Sequence, residues 1–215
     1  MGVTFKRRSP VSRIERVGET WHVKTKNNLA FEAPIVVNCS GAWGSKVADM
    51  MGEKLPISAE APTMMVTAPI EPFLKPVVIG TNRKLSFKQA PNGTLLIGGG
   101  YRSQLDLETR KTRVDFDRLK VSARTVLEFF PQLRNVPIVR TWAGIEGLTP
   151  DRLPIISKGA EEGIYHSFGY SSHGYMLAPV TGKIVKELIH NEKPSFCIDA
   201  FDATRFESNA VQAMK

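Results

Sequence analysis

Apolar and polar positions alternate over residues 11–16 and again over 21–25, on either side of Gly18 and Glu19, and the alternation continues through 29–32. A period of two predicts strands, so this part of the chain reads as a small antiparallel meander. Residues 33–39 are apolar at successive positions and predict a strand buried on both faces of a parallel-type sheet, ending at Ser40 and Gly41. Helix formers over 45–51 then stop at Gly52, so strand, glycine turn and helix follow in order. Short apolar runs at 64–68, 77–80, 85–89 and 95–98 are separated by Pro69, Pro72, Pro76, Asn82 and the hairpin signal Pro91, Asn92, Gly93, which predicts an antiparallel sheet. Gly98, Gly99 and Gly100 read as a strand end or bulge. Apolar residues at 116, 119, 123, 126, 127 and 130 have helical spacing, and the segment 115–130 begins with acidic residues and stops before Pro131. Strands are expected again at 138–143, 155–157 and 163–168. Glycine and hydroxyl residues at 169–174 then break the chain before an amphipathic helix over about 175–189.

The elements are those of a mixed α+β or α/β fold, and 215 residues with 42% hydrophobic and 23% charged content suffice for a substantial core. No apolar stretch approaches the length of a bilayer span, and the basic residues near the N-terminus lack the apolar run of a targeting signal. The charge of +8 is scattered without a basic stripe or interleaved aromatics, which argues against nucleic acid as a partner. Cys39 and Cys197 have neither metal spacing nor a disulfide framework, so no metal is expected and a reducing cytoplasm is the simpler setting.

The candidate chemistry lies in two glycine turns. The first is Val36-Val37-Asn38-Cys39-Ser40-Gly41-Ala42-Trp43; the second is Gly169-Tyr170-Ser171-Ser172-His173-Gly174-Tyr175-Met176, preceded by Trp142 to Pro154. With Leu55-Pro56-Ile57, Leu95-Leu96-Ile97-Gly98-Gly99 and Arg205-Phe206, these pieces span most of the chain in the order found in the FAD-dependent D-amino-acid oxidase superfamily. The chain resembles the C-terminal portion of that superfamily's glycine oxidases, sarcosine oxidase beta subunits, and opine oxidase or hydrogen cyanide synthase subunits. The Gly-x-Gly-x-x-Gly turn that opens such proteins and holds the FAD pyrophosphate has no counterpart in the sequence.

The resemblance implies an antiparallel substrate-domain sheet with helices, joined to part of an FAD-binding Rossmann-like domain. It divides the chain into a partial FAD-binding region at 1–63, a substrate domain at 64–143, a C-terminal FAD-contacting region at 144–207 and a tail at 208–215. Val11 matches a position that contacts the adenine, and Ser40, Gly41 and Trp43 match a second cofactor-contacting turn. Gly169, Tyr170, Ser171, Ser172, His173, Gly174, Tyr175 and Met176 match the turn that aims a helix N-terminus at the flavin ring, where backbone N–H groups favour negative charge on N1 and O2. His173 is a candidate to add positive charge there or to bond a substrate. His22, His166 and His190 belong to no constellation and read as structural or surface groups.

Glu146 stands where glycine and D-amino-acid oxidases resemble one another in carrying an arginine that grips the substrate carboxylate. Either another cation, such as Arg83 or Arg102, does that work, or the substrate brings a cationic arm of its own, as an opine or guanidino compound would. No cysteine stands at the position some relatives use for covalent attachment, so FAD is expected to be non-covalent; whether the chain holds it without the missing segment or only together with it is left open by the sequence. The implied activity is oxidation of a C–N bond in an amino acid or amine by hydride transfer to flavin. The alternative is a non-catalytic fragment or subunit acting as an interaction or ligand-binding module, paired with an N-terminal FAD-binding half, a partner subunit or a second copy.

Overall fold

The computed structural model describes residues 2–206; the tail expected at 208–215 lies outside the described residues. The chain forms two compact units, Met1–Ser58 with Gly147–Lys215, and Ala59–Glu146.

The first unit opens with the expected meander: β1 (Val11–Val17), β2 (Thr20–Thr25) and β3 (Ala30–Ala33) lie in that order, each pair antiparallel. Its apolar face closes on Ile14, Trp21, Met51 and Ile164. β4 is only Val36–Asn38. It is indeed in a parallel pairing, but Val37 and Cys39 are exposed, so the expectation of burial on both faces does not hold. The strand is at the edge of its sheet, where successive apolar residues do not all find cover. A 3-10 turn, Gly41–Trp43, passes directly into α1 (Gly44–Asp49). Gly44 is packed against the ring of Phe168, which a β-carbon there would overlap.

The chain crosses to the second unit through β5 (Ser58–Glu60). That unit is a five-stranded antiparallel sheet built from β6 (Thr63–Thr67), β7 (Val78–Ile79), β8 (Ser86–Gln89), β9 (Leu95–Gly98) and, after an excursion, its edge strand Ile138–Ala143. The excursion holds a hairpin not foreseen in the sequence, β10 (Gln104–Asp106) with β11 (Lys111–Arg113), and then α2 (Phe116–Phe129). The edge strand Ile138–Ala143, β12, pairs with β6. Met65, Phe87, Leu95 and Ile97 from the sheet close on Leu119 and Val126 of α2.

The return passes through β13 (Glu146–Leu148) to β14 (Ile155–Lys158), β15 (Ile164–Phe168) and the long helix α3 (Gly174–Ile189). β15 pairs antiparallel with β14 and parallel with β4. One face of this sheet packs Ile155 and Phe168 against Ala48 and Leu55; the other packs Ile156 and Tyr165 against Ile184 and Leu188 of α3.

Candidate functional site

β4 and β15 run parallel in the register Val36 to Ile164, Val37 to Tyr165 and Asn38 to His166, so both end at the same edge of the sheet. β4 runs out into Ser40 and the Gly41–Trp43 turn; β15 runs out into Gly169 and the residues up to His173. Ligands of open α/β sheets bind beyond the carboxyl ends of such strands. Gly41 has φ 58 and is exposed, with no atom within 4 Å of where its β-carbon would be.

The two turns are tied together by the strand between them. A β-carbon on Gly147 would lie 2.8 Å from the Ala42 Cα and 2.9 Å from the Gly41 carbonyl oxygen, so only glycine lets this backbone pass. The Gly147 carbonyl accepts from the Ser171 amide at 3.3 Å, and Leu148 forms a bridge with Tyr170.

The second turn is held in an unusual conformation. Gly169, Ser171 and Ser172 have φ of 73, 49 and 79 degrees. Left-handed serines cost on the order of 1 kcal/mol each and persist where surrounding bonds over-determine them. Those bonds come from the loop at 149–154. The Ser171 hydroxyl donates to the Gly169 carbonyl at 3.2 Å and lies 3.4 Å from both the amide and the hydroxyl of Thr149, whose own hydroxyl donates to the Leu153 carbonyl at 2.7 Å. Both side chains are buried. Arg205 clamps the same loop, donating to Asp151 Oδ2 at 2.7 Å and to the carbonyls of Leu153 and Pro154. Burial pushes the Asp151 carboxyl up, but the Arg205 hydrogen bond and charge and the Leu153 amide outweigh it, and its pKa lies below the ordinary aspartate value.

The turn delivers α3 with its N-terminus bare. His173 occupies the N-cap, is exposed and gives no side-chain cap hydrogen bond, and the first helical turn has no acidic residue. Tyr175 is 100% and Met176 68% exposed. The Tyr170 ring packs 3.3 Å from where a β-carbon of Gly174 would stand, and its hydroxyl is 2.7 Å from Ser167 Oγ, so the base of the turn is rigid while its outer side is open. Uncapped first-turn amides with the positive end of the helix dipole suit an electron-rich edge or an anion. That donor set fits the pyrimidine edge of a flavin ring.

Ser40, Gly41 and Trp43, and all the residues from Gly169 to Met176, therefore lie at one end of the β4/β15 pair or in the turns that leave it. Val11 opens β1, opposite Thr25, and packs in the meander cluster with Ile14 and Trp21. Glu146, half-buried, ends the second unit and is the residue before Gly147. Among the described residues no cluster of His, Cys, Asp or Glu could hold a metal ion, and no helix is long and apolar enough to cross a membrane.

The sequence reading missed the support beneath the Ser40 turn. His166 is fully buried, with Nε2 3.0 Å from Glu53 Oε1 and Nδ1 3.4 Å from Asn38 Nδ2, and its ring meets Phe168 edge-on. It belongs to a constellation after all. The signal was the strand period: His166 falls two residues from both Ile164 and Phe168, on the face that both bury.

The family model described as FAD dependent oxidoreductase matches residues 1–188. Sarcosine oxidase subunit beta of Rhodobacter capsulatus is 31% identical over 145 residues, covering 67% of this chain and 34% of that protein. Glycine oxidase of Geobacillus kaustophilus is 29% identical over 201 residues, covering 88% and 49%. Among solved structures, that of L-proline dehydrogenase from P. horikoshii superposes with a TM-score of 0.85 at 29% identity, over 94% of this chain and 54% of that one. The chain thus spans about half the length of these relatives, or less.

Proposed function

This chain belongs to the FAD dependent oxidoreductase family, and from that premise we propose that it forms the flavin-ring-facing and substrate-facing part of an enzyme that oxidises a C–N bond in an amino acid or amine. The observation that carries the reading is the bare N-terminus of α3, delivered by a left-handed turn to the same sheet edge as Gly41. FAD, held non-covalently, would supply the two-electron acceptor. The amides of Gly174, Tyr175 and Met176 would stabilise negative charge on the ring's pyrimidine edge, and Gly41 would let backbone approach the ring closely. The exposed His173 imidazole is free to turn toward that charge or toward substrate. Ser40 and Trp43 would shape the first turn and Ser171 and Ser172 the second, with Tyr170 and Gly169 fixing where the helix starts; Val11 would reach the adenine end.

The second unit, with its five-stranded antiparallel sheet, suits the role of a substrate domain. Arg83 there pairs with Glu128 and Arg102 with Glu60, so both cations weighed as carboxylate clamps already hold carboxylates. A substrate bearing a cationic arm, the other reading of an acidic residue at 146 where the resemblance calls for arginine, is then the one we propose. Cys39 and Cys197 are free thiols, which suits a reducing cytoplasm. Because R. capsulatus sarcosine oxidase subunit beta is by name a subunit, a partner polypeptide supplying dinucleotide contacts is part of the reading.

The test is a titration of the chain with FAD followed by flavin fluorescence, in the wild type and in Gly41→Ala. Quenching with about tenfold weaker binding in the variant is expected, since a methyl group would occupy the open side of the turn. No quenching up to about millimolar FAD, both in the chain alone and in the chain joined to a Gly-x-Gly-x-x-Gly segment, would favour the interaction-module reading.

A further inference from the structure

The face of the β14/β15/β4 sheet that packs on α1 carries a polar row in register: Ser157, His166 and Asn38 occupy opposed positions on successive strands, and each is at most 2% exposed. Asn38 ends this row beneath the first turn. Its Oδ1 accepts from the Ser40 hydroxyl at 2.5 Å and from the Ser40 amide at 3.2 Å, while its Nδ2 donates to the Gly44 carbonyl at 3.0 Å. Two of these partners are backbone groups of fixed polarity. Turning the Asn38 amide over would set N–H against the Ser40 N–H and oxygen against the Gly44 carbonyl, so its orientation is decided by the network.

That orientation decides the tautomer of His166. Asn38 Nδ2 has hydrogens and no lone pair to offer, so the His166 Nδ1 facing it at 3.4 Å must be the acceptor. The ring proton is then on Nε2, which donates to Glu53 Oε1 at 3.0 Å. The groups facing the ring are Glu53 from the loop after α1, Asn38 from β4, Ser157 from β14 and the Phe168 ring from β15 itself. Of these only Glu53 carries charge, and it lies on the Nε2 side; the Ser157 hydroxyl is buried without a hydrogen-bond partner.

We propose that His166 is a positioning residue for the Ser40 turn: as the neutral imidazole with its proton on Nε2, it donates to Glu53 and accepts from Asn38, and so holds the Asn38 amide in the orientation that fixes the Ser40 hydroxyl and amide. Its importance for a cofactor rests on the proposed function, since the Ser40 turn is one of the two that would meet the flavin. A proton on Nδ1 would set donor against donor at Asn38 Nδ2 and release Asn38, so the geometry of the turn is coupled to the tautomer of the buried imidazole.

The experiment uses the chain without flavin, so that its outcome is separate from that of the FAD titration. Long-range proton–nitrogen correlation spectra give the tautomer of His166, and hydrogen exchange gives the protection of the Ser40 amide. The Nε2–H form is expected at neutral pH; an Nδ1–H form or an imidazolium would overturn the proposal. His166→Asn keeps an acceptor near the Nδ1 position, whereas His166→Gln keeps only a donor near Nε2. Ser40 protection should survive in the first and fall about fivefold or more in the second, as in Asn38→Ala, relative to the Ile155 and Phe168 amides of the same sheet. Equal loss at all three amides in both histidine variants would mean that His166 merely fills space and would also overturn it.

Discussion

At the scale of single residues, the site depends on backbone passing where side chains cannot. Gly147 is the sharpest case, because the atoms within 3 Å of its missing β-carbon are all backbone atoms of Gly41 and Ala42 and have little freedom to retreat. Gly147→Ala should therefore destabilise the first unit by about 1–3 kcal/mol, the cost of overpacking, read from urea unfolding. Gly41→Ala, with open space but φ 58, should cost only the left-handed strain of about 1–2 kcal/mol. Gly41 could be singled out from the sequence because it ends an apolar strand in a turn that resembles the superfamily's second cofactor-contacting turn. Gly147 and His166 could not be assigned their roles, since what each touches comes from chain far away: Ala42 in one case, Glu53 and Asn38 in the other.

At the scale of elements, the sequence was legible where apolar spacing or a proline and glycine turn signal marks the element. The helix expected at 115–130 is α2, Phe116–Phe129, capped by Asp115, whose carboxylate accepts from the amides of Asp117 and Arg118 at 3.1 Å. Asp115→Ala should cost about 1 kcal/mol, measured by thermal or urea unfolding of the second unit. The hairpin at 90–94 likewise forms where Pro91, Asn92 and Gly93 signal it, with Gly93 at φ 85. The β10/β11 hairpin escaped notice because its strands are short and polar. It is set by Asp106, which accepts from the Glu108 and Thr109 amides and the Thr109 hydroxyl, and by Arg110 at φ 57, rather than by an apolar alternation. The strand expected over 33–39 shortens to Val36–Asn38, because an apolar run does not reveal whether its strand lies at the centre or edge of a sheet.

At the scale of the molecule, the chain makes two units, the first from separated stretches of sequence. The first unit's C-terminal segment is fastened to α3 by Glu187. The Ser195 hydroxyl and amide, with Lys183 nearby, hold the Glu187 carboxyl below the usual glutamate range. A carboxyl whose folded pKa is depressed contributes stability above its unfolded value, about 4.3, and loses it as pH falls through the folded value. Wild-type stability should therefore fall more steeply than that of Glu187→Gln as pH drops from about 5 toward 3, measured by urea unfolding at each pH. Parallel profiles would show that Glu187 titrates alike in both states.

The proposed function requires the turn from Gly169 to His173 and the start of α3 to share a flavin-binding edge with Ser40 and Gly41. The most direct measurement is a map of backbone amide resonances during titration of the chain with FAD. The largest shifts are expected on Gly41, Gly174, Tyr175 and Met176, and they should weaken in Gly41→Ala. Bound flavin that shifts only amides of the second unit, or leaves the start of α3 untouched, would contradict it.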